Sequence, residues 1–144
     1  MIKFKTPKLE EQLKRADKIL QELVKWVHDY CLNKYGKDTT LTEVTRTRDE
    51  TVKIYIRQIN SKTGKLYTPD EVPSSTHETI PCRAADKRSL EYTSTECLNI
   101  VYVINTTWIY DPDRPNLKCC VYHKVGDDAS HFHLQVHPNT VIMG

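Results

Sequence analysis

No run of apolar residues in this 144-residue chain approaches the roughly 20 needed to cross a bilayer, which excludes a helical membrane span. The opening stretch, Met1 to Thr6, alternates charge and apolarity and lacks the apolar centre of a secretory signal. Synthesis in the cytoplasm without a signal peptide is therefore expected, and any action outside needs a separate means of release. Charge of one sign is not in excess. The 21 Lys and Arg against 19 Asp and Glu leave a net +2, and the basic residues are spread along the chain. Neither nucleic acid nor a membrane surface is implied as a partner. No C-x-x-C pair occurs among the five cysteines, Cys31, Cys82, Cys97, Cys119 and Cys120, and their number is odd. That argues against a disulfide framework and for reduced, buried thiols. Internal repeats, low-complexity tracts and domain linkers are also missing. What is present, 38% hydrophobic and 28% charged residues, suits one globular domain over residues 1–144.

The periodicity predicts a long scaffold helix over residues 7–35, within an N-terminal segment 1–36. Leu9, Leu13, Ala16, Leu20, Leu23, Val27 and Tyr30 recur three and four apart, and Gly36 supplies a stop. A motif-bearing core follows, at about 40–138. Thr40–Thr45 reads as a short strand. A helix over Asp49–Ile59 would bury Val52, Tyr55, Ile56 and Ile59. Residues 60–75 read as loop, with Gly64, Pro69 and Pro73. Thr93-x-x-Glu96 is a capping-box pattern that opens a helix running towards Trp108. Two strands, about Lys118–His123 and His131–Val136, form an antiparallel hairpin through Gly126-Asp127-Asp128. The expected fold class is α+β, a small antiparallel sheet packed on helices.

Two separated histidine motifs carry the chemistry. The first is Ser75-Thr76-His77 followed by Arg83-Ala84-Ala85-Asp86; the second is Asp128-Ala129-Ser130-His131-Phe132-His133. Strand alternation puts His131, His133, Gln135 and His137 on one face, with Phe132, Leu134 and Val136 on the other. Two imidazoles and one carboxylate hold a zinc ion and leave a fourth position open for water. Zinc then acidifies that water and polarises a carbonyl. Asp127, Asp128 or His131 is a candidate to move the proton, although Asp127 and Asp128 also suit a plain turn. Cys82 lies close enough to the first motif to serve as a ligand or reactive thiol, but thiolate zinc sites usually bring more than one cysteine.

The ordered set Ser75-x-His77, Arg83-Ala84-x-Asp86 and His131-x-His133 resembles the LAS-type zinc peptidases. These include D-Ala-D-Ala carboxypeptidases, phage L-alanyl-D-glutamate endopeptidases and the zinc-binding hedgehog signalling domain. Leu41-Thr42-Glu43-Val44-Thr45-Arg46 is similar to the family segment that ends in a substrate-facing arginine. The resemblance implies the hedgehog/D-Ala-D-Ala-peptidase fold, a Zn2+ ion and hydrolysis of peptidoglycan stem peptides, at the bacterial cell wall after release or from a phage particle. It implies His77 and Asp86 as ligands with His133 as the third, His131 being the alternative third ligand. His131 or Asp128 then serves in catalysis, and Arg46, Ser75 and Arg83 meet the substrate, although Arg46 equally suits a plain salt bridge with Glu43 or Glu50. The His77 to Asp86 spacing is two residues longer than usual in the family, with Ile80-Pro81-Cys82 where a glycine often sits, and a bulge would absorb it. The hedgehog relatives supply the alternative, a non-catalytic metal-binding structural or recognition module, possible also as a virion component.

Overall fold

The computed structural model describes residues 1–123 and 130–143, with His123 by its backbone alone. Its elements run β1 (Lys3–Phe4), α1 (Lys8–Lys14), α2 (Lys18–Tyr35), β2 (Thr40–Glu43), α3 (Arg48–Tyr55), β3 (Ile59–Asn60) and β4 (Lys65–Leu66). They continue with β5 (Ala84–Arg88), α4 (Ser94–Thr107), β6 (Trp108–Ile109), β7 (Cys120–His123), β8 (His131–Gln135) and β9 (Val141–Ile142). The α+β expectation holds. The main sheet has five strands in the order β1-β2-β5-β8-β7. It is mixed rather than wholly antiparallel, because β1 lies parallel on β2 while the other pairs are antiparallel. β3–β4 and β6–β9 form two further ribbons.

Alternation along β5 and β8 divides the molecule. Leu41, Ala85, Phe132 and Leu134 point to one side and join Leu20, Leu23, Val24, Val27, Ile100 and Ile104 in the core. Removing this apolar surface from water is the main force holding the layers together. The opposite side of the sheet is left for polar side chains, with α3 standing across from it.

The expected long helix is two. Asp17 adopts an extended conformation, ψ 136°, and its side chain accepts from the Ile19 N–H, so it caps α2 instead of continuing α1. Arg83 fixes the break by donating to Asp17 Oδ2 at 3.3 Å, and the Asp17 N–H donates to the Cys82 carbonyl at 2.9 Å. Ala16 stays buried across the break, so the apolar stripe runs on although the helix does not. Gly36, at φ +67°, closes α2 in the left-handed conformation that suits glycine.

The helix expected over Asp49–Ile59 is also corrected. Thr47 and Glu50 form a reciprocal capping box, and the helix stops at Tyr55. Of its residues only Thr51 is buried, and Ile59 is 61% exposed. The apolar spacing reflects a helix laid beside the cleft, not one embedded in the core. The loop expected over 60–75 contains β4 and a 3₁₀ turn at Pro69–Glu71. Thr93 caps α4 as expected, and the hairpin of β7 and β8 forms. All five cysteines are free and buried.

Candidate metal centre

Three elements bring the two histidine motifs together. β5 and β8 pair so that Asp86 lies opposite His133 and Arg88 opposite His131. Residues opposite each other on antiparallel strands share a face, so these four side chains project to the same side. The third element is a 3₁₀ turn, Thr76–Glu78. Ser75 caps it, its Oγ accepting from the His77 N–H at 3.2 Å while Glu78 accepts from the Ser75 N–H at 3.0 Å. The turn carries His77 under the end of β2, where the Arg46 N–H donates to the His77 carbonyl at 3.1 Å.

His77, Asp86 and His133 offer ligand atoms that all lie within 4.8 Å of one another. Asp86 Oδ1 is 3.2 Å from His77 Nε2 and 3.1 Å from His133 Nδ1. Tetrahedral ligation at ~2.0–2.1 Å puts ligand atoms roughly 3.4 Å apart, close to this spacing. All three side chains have little exposure, and His77 and Asp86 are buried.

The partners of the outer ring nitrogens define the chemistry of the inner ones. His77 Nδ1 faces the Val44 carbonyl, which only accepts, so the proton sits there and Nε2 presents a lone pair to Asp86. On His133 the outer atom is Nε2, 3.0 Å from Gln135 Oε1. The Gln135 amide is oriented by its own Nε2 donating to the Lys118 carbonyl at 2.8 Å, which turns Oε1 towards the imidazole. The Thr76 hydroxyl donates to the same Oε1 at 3.3 Å. The same hydroxyl lies 3.3 Å from His133 Nε2, so Gln135 and Thr76 hold the outer side of the ring while Nδ1 faces Asp86. Two imidazoles and a carboxylate converge on one point, and these residues can hold a metal ion.

Without an ion, hydrogen bonds between the rings and Asp86 set the ionisation of the triad. Burial alone would raise the Asp86 pKa, but the His133 and His77 rings outweigh it and hold the carboxyl well below the usual carboxylate range. Burial disfavours the charged form of His77, yet the adjoining Asp86 carboxylate prevails and raises its pKa above the ordinary imidazole value. A proton on His77 is thus the natural competitor of a metal ion.

The triad opens into a cleft of about 700 Å³. His131 lines it, with Nε2 3.6 Å from Asp86 Oδ2. Asp127 and Asp128 lie outside the described residues. Arg46 lines the cleft too, but its guanidinium is already engaged by three acceptors. Nη1 donates to Glu43 at 3.2 Å, Nε to Thr51 at 3.0 Å and Nη2 to Ser75 at 3.0 Å. Ser75 borders the cleft as the cap of the His77 turn. Arg83 does not reach the cleft. It is drawn to the opposite side by Asp17, a partner 66 residues away in sequence. Cys82 is no ligand. Its thiol is turned to the carbonyls of Val44 and Ala84, and burial pushes its pKa up. His137 also leaves the histidine face, because β8 ends at Gln135; its ring packs on Tyr110 with centroids 5.6 Å apart.

Three groups of the site carry roles the sequence did not suggest: the Val44 carbonyl, Thr76 and Gln135, whereas the Glu43–Arg46 ion pair is the one their spacing allows. Alternation places Gln135 beside His133, but only its hydrogen bonds reveal that it orients the ring. Glu43 stands opposite Asp86 across the β2–β5 pairing. No family model matches the chain, and neither curated proteins nor solved structures give a match.

Proposed function

We propose that this chain is a zinc-dependent peptidase with the hedgehog/D-Ala-D-Ala-peptidase fold, acting on stem peptides of peptidoglycan. The observation that carries the reading is the convergence of two imidazole rings and the Asp86 carboxylate at one wall of an open cleft. Two nitrogens and one oxygen suit zinc better than calcium or magnesium, which prefer all-oxygen sites.

His77, Asp86 and His133 would hold the ion, with Val44 and Gln135 setting the direction of the two rings. A bound zinc ion would supply Lewis acidity and an acidified water. His131 stands beside the triad, where its imidazole can pass a proton to the nitrogen of the leaving amine. Asp128 is the alternative proton carrier. The choice of His133 over His131 as third ligand rests on its 3.1 Å approach to Asp86 Oδ1, against 3.6 Å between His131 and Oδ2. With that substrate, its place of action would be the bacterial cell wall or a phage particle.

The test is metal analysis together with turnover of purified cell wall. The expected result is one zinc per chain and release of peptide ends, with Asp86→Asn losing both. A metal-free protein that leaves cell wall intact would overturn the proposal. A second reading, a non-catalytic metal-binding module, draws on the internal engagement of Arg46 and the diversion of Arg83. His131→Ala separates the two. Zinc retained with activity lost supports the peptidase; activity unchanged removes His131 from the mechanism.

A further inference from the structure

Among the described residues, the Lys and Arg side chains that line the cleft are Lys5, Arg46 and Arg88. They are not equivalent. Arg46 is 12% exposed and spends its donors on Glu43, Thr51 and Ser75. A ligand carboxylate at Arg46 has to displace Glu43 from a contact already made. The side chains of Lys5 and Arg88, by contrast, have no hydrogen-bond or ion-pair partner among the described residues, and both border the cleft.

The sheet explains where they stand. Arg88 ends β5, two residues beyond Asp86 on the same face and in register with His131. Two residues along a strand are roughly 7 Å, about the reach of one to two peptide residues. Lys5 follows β1, and its N–H donates to the Leu41 carbonyl at 2.9 Å, extending the parallel pairing by one residue. Phe4 and Leu41 face the core, so Lys5 and Thr42 face the cleft. Arginine offers a planar fork that matches a carboxylate, and lysine adds a point charge nearby.

Resting on the peptidase reading of the same cleft, we propose that Arg88 and Lys5 form a carboxylate-recognition subsite. It selects a peptide whose acidic group lies one or two residues from the reacting amide. Arg46 shapes the wall and the His77 turn and is not the main carboxylate contact. Arg88 is the anchor, because it is partly shielded, and Lys5 is exposed and steers the approach.

The test uses the full chain loaded with one equivalent of zinc. It is titrated at low salt with acetyl-Ala-Glu-amide and with acetyl-Ala-Gln-amide, and binding is read by calorimetry. The wild type is expected to bind the Glu peptide about tenfold more tightly than its Gln counterpart, the size of one charge-assisted contact. Arg88→Gln should remove most of that preference and Lys5→Gln part of it. The double variant should bind both peptides alike, with zinc content and circular dichroism unchanged, while Arg46→Gln should keep a preference. A wild type without preference, or a double variant that retains it, would overturn the subsite. Cell-wall turnover in the same samples separates this from the parent reading. Preference without any turnover keeps the subsite and removes the peptidase; turnover without preference does the reverse.

Discussion

His77 and His133 are held by opposite ring nitrogens, and that difference makes the site. Nδ1 of His77 is tied to the Val44 carbonyl, Nε2 of His133 to the Gln135 amide, and the remaining nitrogens meet at Asp86. Gln135→Ala leaves the three proposed ligands but removes the 3.0 Å partner of His133 Nε2. Its zinc affinity should fall about tenfold to a hundredfold, measured by competition with a chromophoric chelator; an unchanged affinity would show that Gln135 plays no part. The pH dependence follows from two shifts of opposite sign. The raised pKa of His77 means that its charged form stabilises the metal-free protein below the ordinary value of 6.5, and this is lost as pH rises through the folded value. The lowered pKa of Asp86 means that its contribution is present above 3.8 and is lost as pH falls. On the proposed assignment zinc would have to displace the His77 proton, so affinity should rise by up to about tenfold per pH unit until that proton is gone. A flat profile from pH 5 to 8 would contradict the assignment of His77 as ligand. At this scale the residue types of the candidate site and their order were legible in the sequence. The partner of Arg83 was not, because Asp17 lies 66 residues away and only the fold creates the contact, whereas Glu43, three residues from Arg46, could be named in advance.

Alternation along a strand can be read only where the strand is long enough to repeat. β8 shows it clearly, with Phe132 and Leu134 buried and His131 and His133 at the cleft. β1, β6 and β9 are two residues each and leave no periodic trace. β5 is hidden for another reason, as its core face carries Ala85 and a fully buried lysine, Lys87. Lys87 Nζ donates to Thr39 Oγ1 at 3.1 Å and to the Tyr92 hydroxyl at 3.0 Å, and no carboxylate reaches it among the described residues. Burial lowers its pKa from the ordinary 10.5. The unfolded chain therefore binds more protons between the folded value and 10.5, and stability should rise with pH across that window. Lys87→Met should remove this rise and stabilise the protein at pH 7 by about 1–2 kcal/mol, as buried charges replaced by apolar groups often do. Urea unfolding at pH 7 and 9.5 checks it. A variant that is less stable at pH 7, with the slope unchanged, would mean the lysine is carried at no cost. The helix break is the remaining element-scale surprise. Ala16 keeps the apolar period through it, so only the cap at Asp17 betrays it.

Seen as a whole, the sheet is a partition, with a helix-packed core on one side and the cleft with its triad on the other. Stability and metal binding are therefore separable. Phe132 is fully buried, and its neighbour in sequence on either side is a cleft histidine. Phe132→Ala should cost about 3–5 kcal/mol in chemical unfolding, while the fraction that remains folded keeps one zinc per chain. Loss of zinc without loss of stability would place the phenylalanine in the site instead of under it. The α+β class and the face of β8 that carries chemistry could be anticipated from pattern. The meeting of residues 77, 86 and 133 could not be read from periodicity, since it depends on β5 lying between β2 and β8 and on a capped turn beneath β2. Resemblance to a family pattern supplied that expectation, and backbone register supplies its physical cause.

Anomalous diffraction at the zinc absorption edge, on crystals of the full chain grown without chelator, tests the central assignment most directly. One peak is expected at ~2.0–2.2 Å from His77 Nε2, an Asp86 carboxylate oxygen and His133 Nδ1. A map with no peak at those atoms, or with its peak on other side chains, would contradict it.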